Sequence, residues 1–415
     1  LEKYEKIYEI TQKNKSYGVR LAKIIETAHE KNGKKVAVLI DEYDKPLLDA
    51  LQTPDRDANH DSMRSFYGVL KSCDPYLCFL FLTGITKFAK VSIFSELNQL
   101  SDISMTEKYA TICGITEDEM KETFMPEIKA FAEHENVSEE EMLSLFKKKY
   151  DGYHFCEKCP DIYNPFSLIN AFDKQTLKSF WFQTATPKML FSLIENANYD
   201  LTDILDGVTL DSDSFSDYRV GGGSLTPIIY HSGYLTIKDF EKEDRLYTLD
   251  FPNREVESGF LDVLLKKFVS FPDDDLGLEI TNLRLALRNA EIDKILSILK
   301  AAIADLPTIV KKEMCENYYE SVIHLIFRLS GYRLVSELQS VCGRSDVVVV
   351  AKDNVYIFEL KMDKGRPTEE VCNEALSQID ENGYADRFAI SGKKMFKVGI
   401  VLSSSGKGLV GWKAK

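Results

Sequence analysis

The chain has 415 residues, of which 44% are hydrophobic and 28% are charged, a composition typical of a soluble protein with two or three domains. Its net charge of -14 excludes a uniformly basic surface that coats nucleic acid, although a locally basic cleft is compatible with it. The most apolar run, residues 76–85, is too short to span a bilayer and the eight cysteines are scattered, so we expect no membrane partner and a reducing cytoplasm.

The first part of the chain alternates between helical patterns and apolar runs. Helical patterns at residues 21–30 and 63–71 each precede an apolar run, at residues 36–40 and 77–82 respectively. Continuous apolar strands separated by helices predict a parallel sheet covered on both faces. Thr83, followed closely by Thr86 and Lys87, then lies at the carboxyl edge of the sheet, where open α/β folds bind their ligands.

An acidic pair, Asp41 and Glu42, directly follows the first apolar run. ATPases present their magnesium-binding and water-activating carboxylates in this way. However, the sequence contains no phosphate-binding loop of the form G-x-x-x-x-G-K-[ST]. The alternative interpretation is that these acids begin a helix after a buried strand.

The middle of the chain combines helices with a hairpin. Residues 116–150 and 256–306 have helical patterns, residues 221–224 form a glycine-rich break, and residues 235–237 are expected to pair with residues 246–249. One C-x-x-C motif, Cys156 and Cys159, follows His154. A structural zinc site needs a second pair of ligands, so a turn is the favoured interpretation.

The last hundred residues give the clearest pattern, a predicted order of α-β-β-β-α-β. In "GRSDVVVVAKDNVYIFELK", side chains alternate along a strand, so Glu359 and Lys361 share one face. The predicted hairpin brings Asp346 beside them. Carboxylates are hard oxygen ligands suited to Mg²⁺ or Mn²⁺, and a neighbouring lysine can orient water and stabilise negative charge. The alternative is an exposed strand whose acid and lysine form only an ion pair.

This arrangement resembles the PD-(D/E)XK nuclease superfamily, whose fold is restriction-endonuclease-like. The resemblance implies that Asp346 and Glu359 are metal ligands and that Lys361 is the catalytic lysine. No proline precedes Asp346, which departs from the common pattern of the superfamily.

The resemblance also implies roles for flanking helices. An acidic residue of the preceding helix often joins the site, and Glu316 is favoured over Glu320 for this role. Gln378 and Tyr384 resemble the Gln…Tyr element of the RecB-like branch, although their spacing is longer here.

Several further motifs, "VLIDEYDKP", "YDGYHF", "YNPFSLINAF", "SGYLTIK" and "FPNREV" among them, resemble AAA-ATPase-like proteins that carry a C-terminal PD-(D/E)XK domain. The resemblance implies that Asp41 is a Walker B aspartate holding Mg²⁺, that Glu42 polarises the hydrolytic water, and that Thr83 is a sensor of the γ-phosphate. ATP is thus an implied cofactor, although without a phosphate loop its affinity should be severely reduced. ATPases of this class act as assemblies, so a homo-oligomer is also implied.

These patterns predict a multidomain α/β protein with four segments. Residues 1–165 form a P-loop ATPase-like parallel α/β domain without its Walker A front end, and residues 166–255 a helical and winged-helix-like module. Residues 256–308 form a helical connector and residues 309–415 the nuclease-like domain. The expected function is an ATPase-coupled, magnesium-dependent nuclease acting on DNA or RNA. The alternative is an NTP-binding regulatory or switch protein whose nuclease-like domain binds nucleic acid or protein without cutting.

Overall fold

The computed structural model describes residues 1–11, 16–50, 53–85, 100–181, 207–212, 214, 225–268, 276–304, 316–340, 343–385, 388, 392–404 and 408–415. At residues 266–268, 316–318, 321, 333, 335–340 and 343–346 it describes the backbone alone. The chain divides into two units, residues 1–200 with 207–256 and residues 201–206 with 257–415. The predicted division into four segments stays a prediction.

The first unit mixes helices with short sheets. Its described helices are α1 (Glu2–Ile7), α2 (Tyr17–Asn32), α3 (Lys45–Ala50), α4 (Arg56–Ser72), α5 (Glu117–Glu135), α6 (Glu139–Tyr150), α7 (Pro165–Lys174) and α8 (Thr226–His231). Its described strands are β1 (Val36–Ile40), β2 (Leu77–Leu82), β3 (Ile115–Thr116), β4 (Ile162–Tyr163), β5 (Val208–Asp211), β6 (Thr236–Glu241) and β7 (Leu246–Asp250). Helix α9 (Arg254–Phe268) contains the boundary between the units.

Strands β1 and β2 pair in parallel, as predicted, with Ile40 beside Leu82. One face of this pair packs on a core that includes Ile25 of α2 and Met63 of α4. The expectation that helices cover both faces is wrong, because Leu39 is 70% exposed and Phe79 is 54% exposed. Side chains alternate along a strand, so the residues between the core-facing ones are left on an open face. Thr86 and Lys87 lie outside the described residues.

The rest of the first unit has a helical part and a small sheet. Helices α5 and α6 begin with side-chain caps, in which Thr116 accepts from the Glu119 N–H and Ser138 accepts from the Glu141 N–H. Strands β6 and β7 form the predicted antiparallel hairpin, and β5 adds to it in the order β5-β7-β6. The glycine-rich residues 221–224 lie outside the described residues.

The described helices of the second unit after α9 are α10 (Leu276–Asn289), α11 (Ile292–Ala304) and α12 (Glu316–Leu329), which precede its sheet, and α13 (Thr368–Glu381), which lies between two of its strands. Its described strands are β8 (Arg333–Ser340), β9 (Gly343–Val350), β10 (Asn354–Met362), β11 (Lys394–Leu402) and β12 (Leu409–Ala414). The five strands form one sheet in the order β12-β11-β10-β9-β8, in which only β10 and β11 run parallel. From α12 onwards, the predicted order α-β-β-β-α-β is followed by the additional strand β12.

Helices cover both faces of this sheet. Phe327 of α12 stacks on Phe358 of β10 with ring centroids 4.8 Å apart. On the other face, Ile357 of β10 and Leu376 of α13 belong to one buried cluster. No helix within the described ranges combines the length and apolar character needed to cross a bilayer.

Candidate active site

The centre of the candidate site is the acid–lysine pair of β10. Glu359 is fully buried, and Lys361 is 21% exposed at the side chain. The Lys361 Nζ lies 3.1 Å from the Glu359 Oε1 and donates a hydrogen bond to it. Burying a carboxylate is costly unless a cation or hydrogen bonds offset the lost hydration. The pair is therefore an internal feature of the sheet and not an exposed surface ion pair.

The face on which this pair lies follows from the alternation of β10. Val355 and Ile357 pack in the cluster that contains Ile379 of α13. Glu359 and Lys361 continue the same alternation, so they belong to the α13 face of the sheet. Phe358 faces the opposite side, toward Phe327 of α12.

Asp346 stands on β9, next to this strand. The antiparallel register pairs Phe358 with Val347, and continuing it by one residue places Asp346 opposite Glu359. Only the backbone of Asp346 is described, so its role as a metal ligand stays a prediction.

The candidate site residues on helices belong to α12 and α13, which pack on opposite faces of the sheet. Glu316, the first residue of α12, belongs to a helix whose Phe327 packs on the face of β10 opposite to Glu359. The side chain of Glu316 is not described, and its catalytic role stays a prediction. Glu320 is half-buried on the same helix.

Gln378 and Tyr384 lie on the side of the sheet that carries Glu359. Gln378 is half-buried in α13, and Tyr384 is buried in the same cluster as Ile357. The Asn382 side-chain amide donates a hydrogen bond of 2.6 Å to the Tyr384 hydroxyl oxygen. Tyr384 is thus held by packing and by a local hydrogen bond, while the role of Gln378 stays a prediction.

The donor chemistry at β10 fits a hard divalent cation. The Glu359 carboxylate is fully buried, and carboxylate oxygens are the ligands that Mg²⁺ and Mn²⁺ prefer. Among the described residues, no group of three or more His, Cys, Asp or Glu side chains is placed to hold a metal ion. The side chain of Asp346 is not among the described ones.

In the first unit, the ends of β1 and β2 are joined by hydrogen bonds. The Thr83 hydroxyl donates to the Asp41 Oδ1, the Thr83 N–H donates to the Ile40 carbonyl oxygen at 2.9 Å, and the Tyr43 N–H donates to the Thr83 carbonyl oxygen at 2.9 Å. Glu42 has a positive φ of 49° and is exposed, with its carboxylate 3.8 Å from the Lys45 Nζ. The structure therefore brings Asp41 and Thr83 into contact.

Sequence reasoning missed one acidic residue at this edge. Asp44 is fully buried, and its backbone carbonyl accepts from the Leu47 and Leu48 N–H groups at the start of α3. A Cβ on Gly84 would lie 2.5 Å from the Tyr43 ring and 2.8 Å from the Asp44 Oδ1. In the sequence, Asp44 is the last acid of "DEYD" and is followed by Lys45 and then by the apolar run of residues 46–48.

The C-x-x-C segment lies in an irregular stretch with a bend at residues 156–158. His154 pairs through its Nδ1 with the Asp161 Oδ1 at 2.9 Å, and the Cys159 thiol donates to the Cys156 carbonyl oxygen. Burial raises the pKa of the Cys156 thiol to about 11.

Three of the described lysines near the C-terminus, Lys397, Lys413 and Lys415, contact groups of the protein. Lys397 and Lys415 both pair with Asp380, and the hydrogen bond from Lys397 is the largest cause that lowers the pKa of the Asp380 carboxyl. Lys413 donates to the Asn373 side-chain oxygen at 2.9 Å. These contacts favour a folded, ion-paired surface over a row of lysines dedicated to phosphate contacts.

Two parts of the chain match known protein families. Residues 1–94 match a family described as predicted AAA-ATPase, and residues 314–412 match the PD-(D/E)XK nuclease superfamily. An "Uncharacterized protein in vnfD 5'region" of Azotobacter chroococcum mcd 1 is 31% identical over 400 residues, which cover 95% of this chain and 74% of that protein. No solved structure gives a significant match. The chain belongs to the family of proteins that join an AAA-ATPase-like N-terminal domain to a C-terminal domain of the PD-(D/E)XK nuclease superfamily.

Proposed function

We propose that this protein is a divalent-metal-dependent nuclease that hydrolyses phosphodiester bonds of DNA or RNA. The observation that carries the proposal is the fully buried Glu359 carboxylate with the Lys361 Nζ 3.1 Å away, on the central strand of a superfamily sheet. A buried acid beside a lysine that is partly open to solvent fits metal-assisted phosphodiester hydrolysis, in which the acid holds the ion and the lysine stabilises negative charge.

In this proposal each side chain has one task. Asp346 and Glu359 hold Mg²⁺ or Mn²⁺, which when bound supplies positive charge to the phosphate and lowers the pKa of water. Lys361 orients the attacking water and stabilises the negative charge that develops on the phosphate oxygens. Gln378, half-buried on α13, positions the substrate beside this face, and Glu316 is an additional acidic group from α12.

The ATPase-like half is proposed to regulate the nuclease. Asp41 would hold the magnesium ion of a nucleotide, Glu42 would polarise water, and Thr83 would report the γ-phosphate to the strand edge. The support is the hydrogen bond from Thr83 to Asp41, which couples the ends of β1 and β2. The hairpin of β6 and β7 is proposed to belong to a winged-helix-like module, and assembly into a homo-oligomer is part of the same proposal.

The test is cleavage of end-labelled single- and double-stranded DNA and RNA by the full chain. Reactions contain Mg²⁺, Mn²⁺ or EDTA and compare the wild type with Lys361→Ala. A matched control is Glu374→Gln, an exposed acid of α13 that pairs with Arg366. Metal-dependent cutting that Lys361→Ala loses and Glu374→Gln retains supports the proposal.

Absence of cutting on every substrate and with both metals overturns the nuclease proposal. Retention of a labelled nucleic acid without cutting would then favour the alternative function, a regulatory protein that binds through its nuclease-like domain.

A further inference from the structure

The register of β8 and β9 places a third acidic residue, Glu337, in line with the candidate site. Ser336 pairs with Val347 and Leu338 pairs with Ser345, without a shift between them. Partners in an antiparallel ladder move by one residue in opposite directions, so Glu337 stands opposite Asp346. Sequence reasoning did not single out Glu337.

The same row continues across the sheet. Val347 pairs with Phe358, so the next position opposite Asp346 is Glu359. Glu359 in turn pairs with Gly399 of β11. One row therefore runs over four strands through Glu337, Asp346, Glu359 and Gly399.

The face of this row is the α13 face. Val348 of β9 and Val355 and Ile357 of β10 belong to the cluster that packs against α13. Positions directly opposite one another on neighbouring strands share a face of the sheet, and positions two apart on one strand share it as well. The three acidic positions of the row therefore all belong to the face that carries the Glu359–Lys361 pair.

We propose that Glu337 is a further acidic residue of the metal site, which supports the divalent ion from the β8 side. This inference rests on the proposed nuclease function. Neighbouring strands are about 4.8 Å apart, so the Glu337 and Glu359 positions are separated by about 10 Å with Asp346 between them. Mg²⁺ is bound directly by one or two carboxylates and keeps several waters, so an outer carboxylate accepts hydrogen bonds from those waters.

Charge supports the same assignment. Acidic residues directly opposite one another on neighbouring strands repel and destabilise a sheet. Three acidic positions in one row, of which Glu359 is fully buried, are tolerated when a divalent cation offsets their charge. A competing explanation is that Glu337 pairs with Arg344, which stands two positions from Asp346 along β9 and opposite Gln339.

The experiment measures Mn²⁺ binding to the full chain by isothermal titration calorimetry and by the electron paramagnetic resonance signal of free Mn²⁺. The variants are Glu337→Gln, Glu359→Gln and the control Glu374→Gln. We expect Glu337→Gln to weaken Mn²⁺ binding by about tenfold or more, as loss of a supporting group does at metal sites. Glu359→Gln should weaken binding at least as much, and Glu374→Gln should leave it unchanged.

A second measurement separates a metal role from a structural one. In EDTA, Glu337→Gln should keep or raise the melting temperature, by about 1–2 °C, because it removes one charge from the row. If Glu337 instead serves an ion pair with Arg344, the substitution lowers the melting temperature and leaves Mn²⁺ binding unchanged, which overturns the inference.

The outcomes for the two proposals are distinct. Unchanged Mn²⁺ binding in Glu337→Gln, together with weakened binding in Glu359→Gln, overturns the role of Glu337 and leaves the nuclease proposal standing. A wild-type chain that neither binds Mn²⁺ nor cuts nucleic acid overturns both.

Discussion

Thr83 donates its hydroxyl to the carboxylate of Asp41, and this hydrogen bond joins the residues that immediately follow β2 and β1. The two strands are parallel neighbours, so both residues emerge at the carboxyl edge of the sheet. The hydrogen bond therefore connects the ends of the two strands.

The first prediction concerns this contact. Thr83→Val keeps the shape of the side chain but removes the donor, so we expect a loss of about 1 kcal/mol in the free energy of unfolding, since the acceptor is partly solvated. Thr83→Ser retains the hydroxyl and should stay close to the wild type. Chemical denaturation of both variants measures the difference, and a Thr83→Val chain as stable as the wild type would show that the hydrogen bond contributes nothing.

The second prediction concerns the close approach of α13 to the sheet. A Cβ on Gly399 would lie 2.8 Å from the Cys372 carbonyl oxygen and 3.0 Å from the Ala375 Cβ. Because a backbone atom cannot move aside cheaply, Gly399→Ala should cost about 1–3 kcal/mol. It should also reduce cleavage, because Gly399 is the register neighbour of Glu359.

The matched control for this prediction is Gly277→Ala in α10. A Cβ there would meet no atom within 4 Å, so the higher helix propensity of alanine should raise the stability by up to about 1 kcal/mol. Thermal unfolding of the two variants should shift in opposite directions. Equal shifts would refute the proposed close contact at Gly399.

The third prediction is a pH dependence at Asp151, in the "YDGYHF" segment. Burial raises the pKa of the Asp151 carboxyl from 3.8 to about 6, and its Oδ1 is buried without a hydrogen-bond partner among the described residues. The folded state binds the proton more tightly than the unfolded state. The carboxyl therefore begins to destabilise the fold as the pH rises above about 4, and the destabilisation is complete above about pH 6. At 1.36 kcal/mol per pKa unit, the penalty is up to about 3 kcal/mol.

Asp151→Asn removes this penalty. Its melting temperature should exceed that of the wild type at pH 8, and the difference should shrink toward zero near pH 4. Asp173→Asn, at an exposed aspartate of α7, is the control and should show no such pH-dependent difference. A constant difference between Asp151→Asn and the wild type at both pH values would contradict the burial argument.

The fourth prediction concerns the Glu359–Lys361 pair as a unit. Lys361→Met removes the cation 3.1 Å from a fully buried carboxylate and should lower the free energy of unfolding by about 1–3 kcal/mol. Adding Glu359→Gln should recover part of this loss, because the buried charge is then gone. A double-mutant cycle measures the coupling, and additive effects would show that the two side chains do not act as a pair.

Much of the fold was readable from local patterns. The strand at residues 36–40, the helical pattern of residues 116–150 and the β6–β7 hairpin each depend on neighbours in sequence, where periodicity rules apply directly. The exposed face of β1 and β2 was not readable, because a short apolar run has the same composition whether one face or both are covered.

The candidate site was readable only in part. The alternation of β10 correctly placed Glu359 and Lys361 on one face, but alternation does not show whether that face is covered, so the full burial of Glu359 was not readable. Glu337 was missed because its place opposite Asp346 depends on the register of β8 and β9. A shift of one residue in that register would move Glu337 to the other face of the sheet. A sequence pattern alone does not determine the register.

The most direct test of the central claim is the rate at which Glu359→Gln cuts labelled nucleic acid in Mg²⁺, relative to the wild type. The substitution keeps the shape of a fully buried side chain and removes its charge. The account predicts metal-dependent cutting by the wild type and a loss of about 100-fold or more in the variant, at equal melting temperature or above. Cutting by Glu359→Gln at the wild-type rate would contradict the assignment of this sheet as the catalytic centre.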